Sequence, residues 1–150
     1  MNIDKLMEEL KVDEGCVMEI YNDHLGYPTF GVGHLIREDD PEHDQPLGTI
    51  VSDERVREAF EQDLESVRRD CLRLYDNFTE LPDDCQLIIA NMMFNLGYPR
   101  LSKFKLMKAA IEKSDWEEAA NQMESSRWYR QVPNRAERLC NRMRLLAVPA

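Results

Sequence analysis

The spacing of apolar residues predicts helices over most of this chain. The first run consists of Ile3, Leu6, Met7 and Leu10. Such positions share one face of an α-helix, and Gly15 follows where a helix commonly ends. A second apolar stripe covers residues 56–74, after Ser52, a residue type that caps helices. This stripe predicts a helix of about 20 residues.

Residues 87–96 are apolar on nearly every side. A surface helix would have a polar face, so we expect a central buried helix here that ends at Gly97. Its core positions should be Leu87, Ile88, Met92 and Met93.

Shorter helices complete the predicted helical part. One is expected over residues 101–111. Ser114 and Glu117 have the spacing of a capping box, which predicts another helix from Asp115. A last helix should open at Pro133, because proline suits the first helical position.

The pattern changes between the first two helices. Residues 16–21 favour a strand, residues 23–26 are typical of a turn, and residues 29–34 alternate glycine with larger side chains. We expect a β-hairpin or small antiparallel sheet in this region. The fold class is therefore α+β, with a small sheet lobe and a mainly helical lobe around one buried helix.

Composition excludes several classes of protein. The 150 residues carry a net charge of −10, which excludes a broadly basic nucleic-acid-binding protein. No apolar run approaches the roughly 20 residues that cross a bilayer. The N-terminus lacks the pattern of a signal peptide. The four cysteines lack zinc-site spacing, so we expect free thiols in a reducing cytoplasm.

Three polar residues around the predicted hairpin are candidates for catalysis. Glu14 ends the first helix, while Asp23 and Thr29 lie in the hairpin. A carboxylic acid and a carboxylate on opposite sides of a sugar ring can cleave a glycosidic bond. In a chain with 29 acidic residues, this spacing alone is weak evidence, and solvated surface carboxylates are the ordinary alternative.

Three other features have simpler structural interpretations. Gly31 and Gly33 lack the context of a phosphate-binding loop and predict close backbone packing. His34 is expected to be a hydrogen-bonded side chain, with a base or metal ligand as the alternative. The acidic run over residues 38–44 lacks the residue order of a calcium loop and predicts a solvated loop.

A basic cluster lies near the end of the chain, and its members are Arg127, Arg130, Arg135, Arg138, Arg142 and Arg144. Glu137 is the one acidic residue between positions 127 and 144, so this segment has a net charge of +5. Two interpretations remain open: a solvated helix face, or a patch that binds an anionic polymer.

Several segments together resemble one enzyme family. They are DEG at 13–15, IYNDHLGYPTFGVGH at 20–34, NMMFNLG at 91–97, SRWY at 126–129 and QVPNRAER at 131–138. These segments closely resemble the T-even phage lysozymes of glycoside hydrolase family 24. The resemblance extends in order over nearly the whole chain and implies a lysozyme-like fold.

The resemblance implies a muramidase that cleaves the β-1,4 bond between N-acetylmuramic acid and N-acetylglucosamine in bacterial peptidoglycan. Glu14 would then be the general acid. Asp23 would activate or position the attacking water, helped by Thr29, with inversion at the anomeric carbon. The resemblance implies no metal and no organic cofactor.

The same resemblance suggests binding and supporting residues. It places Gly33, Leu35 and Phe94 along the sugar cleft. It pairs His34 with Asp63, and Arg135 with Glu14. The segment between His34 and Ser52 is shorter than in that family, which predicts a smaller sheet.

The resemblance also implies how the protein is organised and where it acts. We expect one lysozyme domain over residues 1–150, with a small β lobe at about 14–51 and a helical lobe formed by 1–13 and 52–150. We expect a monomeric phage endolysin without membrane insertion, held in the host cytoplasm until its release to the cell wall.

Two alternatives remain. A lytic transglycosylase needs only the acid, and Asp23 argues against it. A non-catalytic wall-binding or tail module would not need Glu14, Asp23 and Thr29 together.

Overall fold

A computed structural model of the protein describes residues 1–149. Its elements in chain order are α1 (Ile3–Glu14), β1 (Val17–Asn22), β2 (Pro28–Gly31), β3 (His34–Leu35), α2 (Asp53–Leu74), a 3-10 turn (Phe78–Glu80), α3 (Asp83–Leu96), α4 (Tyr98–Leu101), α5 (Lys105–Glu112), α6 (Trp116–Glu124), α7 (Arg127–Gln131) and α8 (Pro133–Leu145). The α+β class predicted from the pattern is confirmed.

Contacts divide the chain into two compact units. The sheet unit comprises Asp4–Ser66, and the helical unit comprises Met1–Ile3 together with the chain from Val67 onward. Within residues 1–149, no helix has both the length and the apolar character needed to cross a bilayer.

The sheet unit contains three antiparallel strands in the order β1, β2, β3. The strand predicted over residues 29–34 is in fact two strands, since the chain turns at Val32 and Gly33. Gly31, the last residue of β2, and Gly33 in the turn have positive φ angles of 64° and 63°, which residues inside an extended strand do not adopt. A Cβ atom at Gly31 would lie 3.0 Å from Val56 Cγ1, so the close packing predicted here is confirmed.

Apolar side chains from the sheet, from α2 and from the segment just before α2 form the core of the sheet unit. They are Ile20, Phe30, Val51, Val56 and Ala59. On α1, the predicted inner positions Leu6 and Leu10 are fully buried. The expected cap of α2 is present, because the Arg55 N–H donates to Ser52 Oγ over 3.2 Å.

In the helical unit, α3 is the buried helix that its sequence predicts. Its core positions Leu87, Ile88, Met92 and Met93 are at most 2% exposed. Gly97 ends the helix with a φ of 78°, an angle that costs a glycine little.

Two predictions for the shorter helices are wrong in detail. The segment predicted as one helix over residues 101–111 is split into α4 and α5. The residue that caps α6 is Asp115, whose side chain accepts the Glu118 N–H, and not Ser114. Ser114 has a φ of 57°, so it lies in the turn before the cap. The last helix opens at Pro133 as expected.

All four cysteines are free thiols, as predicted. Cys71, Cys85 and Cys140 are buried, whereas Cys16 is exposed. Burial raises the pKa of Cys71 and Cys85 to about 12, and that of Cys140 to about 11. These three thiols are therefore almost fully protonated at neutral pH.

Candidate active site

Glu14 is the last residue of α1. Gly15 follows with a φ of 77°, and its N–H donates to the Lys11 carbonyl over 2.9 Å. This left-handed residue ends the helix and directs the chain into β1. The Glu14 side chain is half-buried, where the chain passes from α1 to β1.

Asp23 directly follows β1 and organises the turn to β2. Its Oδ1 accepts the N–H groups of Leu25 and Tyr27 over 2.9 and 2.8 Å. Its own N–H donates to the Tyr27 carbonyl over 2.9 Å. Among residues 1–149, none donates a hydrogen bond to Asp23 Oδ2. One oxygen of this carboxylate therefore fixes the turn, and the other is left to act on a ligand or water.

Thr29 lies in β2 and is 4% exposed. Its hydroxyl donates to the Tyr27 carbonyl over 2.9 Å, the same oxygen that accepts the Asp23 N–H. The Tyr27 carbonyl therefore links Asp23 and Thr29, two of the predicted catalytic residues. The sequence pattern did not reveal this role of Tyr27, which depends on the conformation of the turn.

Tyr21 lies beside this pair. It is directly opposite Thr29 in the sheet. Burial raises its pKa first, and the negative charges of Asp23 and then Glu14 raise it further. The charges of both predicted catalytic carboxyl groups thus raise the pKa of the same phenol.

The predicted sugar-contacting residues of the sheet unit lie beside Thr29. Gly33 is exposed in the turn between β2 and β3. Leu35 is directly opposite Thr29 on β3, and it is 47% exposed despite its apolar side chain. Opposed residues place their side chains on the same face of a sheet. Tyr21, Thr29 and Leu35 thus form one row across three strands.

His34 precedes Leu35 in β3 and is 3% exposed. Its Nδ1 is 2.7 Å from Asp63 Oδ2, the pairing that the family resemblance implies. Its Nε2 is 2.9 Å from Asp40 Oδ2, a partner that sequence reasoning missed. Burial lowers the pKa of His34, but hydrogen bonds and charges from Asp63 and Asp40 outweigh it, so the pKa is raised.

The acidic run over residues 38–44 is not fully solvated, contrary to the prediction. Arg55 donates from Nε and Nη2 to both Glu42 oxygens at 2.9 and 3.0 Å, and from Nη2 to Asp40 Oδ1 at 3.0 Å. Glu42 is 7% exposed. The first turn of α2 therefore provides a cation that fixes this loop.

No group of three metal-binding side chains suited to a metal ion occurs in the part of the chain that the structure describes. Both ring nitrogens of His34 already have carboxylate partners.

A cavity of about 550 Å³ in the sheet unit lies among α1, β1 and α2, and none of the predicted catalytic residues lines it.

The remaining predicted site residues belong to the helical unit. Phe94 is half-buried on α3. Arg135 is 8% exposed on α8, and its Nε donates to Asn91 Oδ1 over 2.8 Å. The predicted sugar contact of Phe94 and the predicted pairing of Arg135 with Glu14 stay predictions.

The basic cluster is partly neutralised within the helical unit. Arg142 forms a two-fold hydrogen-bonded ion pair with Asp84 at 3.1 and 2.6 Å. Arg144 pairs with Glu117 over 3.2 Å and with Glu124. These contacts weaken the interpretation of the whole cluster as a patch for an anionic polymer.

Comparison with known proteins gives consistent results. The phage lysozyme family matches residues 11–144. Probable T4-type lysozyme 1 of Dictyostelium discoideum is 30% identical, over 91% of this chain and 92% of that protein. The pre-baseplate central spike protein Gp5 of Enterobacteria phage T4 is 30% identical over 89% of this chain but 26% of its own length. The peptidoglycan hydrolase gp36 of Pseudomonas phage phiKMV is 29% identical over 91% of this chain and 15% of its own.

Proposed function

Since the chain belongs to the phage lysozyme family, we propose that it is a muramidase that hydrolyses the β-1,4 bond between N-acetylmuramic acid and N-acetylglucosamine in peptidoglycan. Glu14 is the general acid in this proposal. Asp23 holds and activates the attacking water, and Thr29 supports it.

The unequal surroundings of the two Asp23 oxygens carry the proposal. Oδ1 is fixed by two backbone N–H groups, which orients the carboxylate before any substrate binds. Oδ2 then faces no competing donor among the described residues. A carboxylate with one fixed and one available oxygen suits a base that positions a water molecule.

The proposed reaction transfers one proton to the leaving oxygen and removes one proton from the attacking water. Protonated Glu14 donates its proton to the bridging oxygen as the bond to the anomeric carbon breaks. The water at Asp23 Oδ2 attacks that carbon from the opposite face and gives its proton to the carboxylate. The new hydroxyl therefore has inverted configuration.

Substitution of Glu14 tests the assignment. Glu14→Gln keeps the shape of the side chain but cannot donate the proton, so clearing of permeabilised Gram-negative cells should fall about 10²–10⁴-fold. Glu8→Gln on the exposed side of the same helix is the matched control and should clear like the wild type. Near-normal clearing by a folded Glu14→Gln protein would refute the role of Glu14.

The products test the rest of the mechanism. Mass spectrometry should detect fragments that have gained water, whereas anhydro-sugars would indicate a lytic transglycosylase. Proton NMR of the first-formed product should detect the α-anomer, and a β-anomer would exclude inversion.

Three further features belong to the same proposal. The enzyme acts as a monomer, it does not insert into membranes, and it stays in the host cytoplasm until its release to the wall. Sedimentation and fractionation of producing cells would check them. A sedimenting dimer or a membrane-bound fraction would contradict them.

A further inference from the structure

Tyr21 occupies a position at the active site that no role yet explains. It lies in β1 directly opposite Thr29, and opposed residues in antiparallel strands have Cβ atoms about 4.5–5.5 Å apart. Asp23 follows β1 two residues after Tyr21, and its negative charge is close enough to raise the pKa of the phenol. Tyr21 is therefore adjacent to two of the three residues proposed for catalysis.

The hydroxyl of Tyr21 is accessible to a ligand. The side chain is half-buried, but its oxygen is not among the buried side-chain atoms that lack a hydrogen-bond partner, so it reaches solvent, and it makes no hydrogen bond within residues 1–149. Burial, Asp23 and Glu14 together raise its pKa above 10.0. The phenol therefore stays neutral, and keeps its proton for donation, throughout the range in which the enzyme would act.

Apart from protonated Glu14, whose proton goes to the bridging oxygen, the other residues proposed for catalysis supply no side-chain donor to the glycan. An ionised Asp23 only accepts hydrogen bonds, and the Thr29 hydrogen is directed to the Tyr27 carbonyl. A glycan has hydroxyl and acetamido oxygens that need donors. Building on the proposed function, we propose that the Tyr21 hydroxyl donates a hydrogen bond to the glycan bound between Glu14 and Asp23, and so contributes to substrate affinity.

The variant Tyr21→Phe removes this oxygen and keeps the ring. Binding is measured in the Glu14→Gln background, so that a soluble peptidoglycan fragment is not cleaved. The dissociation constant should rise about five- to tenfold, the usual effect of one neutral hydrogen bond. In the enzyme with Glu14 intact, KM for the same fragment should rise by a similar factor, with kcat within about twofold and both limbs of the pH profile unmoved.

Tyr129→Phe is the matched control, because it removes a phenol oxygen from α7 in the helical unit and should change none of these values. Unchanged affinity of Tyr21→Phe would overturn the inference. A shifted pH limb with unchanged affinity would also overturn it, since the phenol would then act through the carboxyl groups. Failure of the wild type to cleave peptidoglycan would instead contradict the proposed function, whatever Tyr21 does.

Discussion

The two oxygens of the Asp23 carboxylate have different surroundings, and we assign a different task to each. Oδ1 closes the turn through Leu25 and Tyr27, and Oδ2 is proposed to hold water. The hairpin and the positions of Glu14, Asp23 and Thr29 could be predicted from the sequence. The link through the Tyr27 backbone could not, because any residue type supplies the same N–H and carbonyl groups.

Two substitutions should separate the tasks of Asp23. In Asp23→Asn the amide oxygen still accepts the two N–H groups, so the melting temperature should change little while turnover falls about 10²-fold or more. Asp23→Ala removes both functions, so it should lose turnover and also lower the melting temperature. Clearing assays and thermal unfolding check this. Equal melting temperatures for the two variants would show that Oδ1 does not support the turn.

His34 and Asp40 should make stability depend on pH in opposite directions. The raised pKa of His34 means that its contribution is complete below about pH 6.5, the usual histidine value, and is lost as pH rises through the folded value. Burial raises the pKa of Asp40, but the Arg37 N–H, His34 and Arg55 outweigh it and lower the pKa. That contribution is lost as pH falls through the folded value, below 3.8.

Chemical denaturation at a series of pH values checks the contributions of His34 and Asp40. The free energy of unfolding should be greatest between about pH 4 and 6.5, where both groups contribute. His34→Gln should flatten the decline on the alkaline side. An identical decline in wild type and variant would exclude His34 as its source.

Among the helices and strands, long apolar patterns were predicted well and short connections were not. The helices α2 and α3 could be predicted because an apolar helix surface must be buried, whichever element covers it. The turn at Gly33 and the split between α4 and α5 depend on local backbone angles, which periodicity does not report. The burial of Asp40 and Glu42 cannot be predicted from the acidic run alone, because their partner Arg55 lies more than ten residues away in the chain.

Shortening a buried side chain of α3 should lower the stability of the protein markedly. Ile88 is fully buried, so Ile88→Ala should lower the free energy of unfolding by about 2–5 kcal/mol through lost burial and a residual cavity. Leu145→Ala is the control at a 64% exposed position and should cost less than about 0.5 kcal/mol. Denaturant unfolding measures both, and a loss below about 1 kcal/mol for Ile88→Ala would mean that the site collapses around the shorter side chain.

The whole chain is acidic, with a net charge of −10, although peptidoglycan is itself an anionic polymer. The basic cluster could offset this only through arginines that are not already paired with acids. Arg142 and Arg144 hold Asp84, Glu117 and Glu124. Arg127 and Arg130 are exposed on α7, so we expect them to contribute to any attraction to the wall.

The double variant Arg127→Gln, Arg130→Gln should pellet less with purified wall at low salt than the wild type. The difference should shrink as salt shortens the screening length to about 8 Å near physiological ionic strength. Turnover of a short soluble fragment should stay unchanged. Equal pelleting at low salt would leave these arginines as an ordinary solvated helix face.

The burial of three cysteines makes the protein chemically simple to label. A maleimide reacts with thiolate, and burial keeps Cys71, Cys85 and Cys140 in the thiol form at neutral pH. Cys16 is exposed just after α1. The native protein should therefore take up one equivalent of reagent quickly, and all four of its cysteines should react once it is denatured. A fluorophore attached two residues after Glu14 could then report glycan binding without any engineered cysteine.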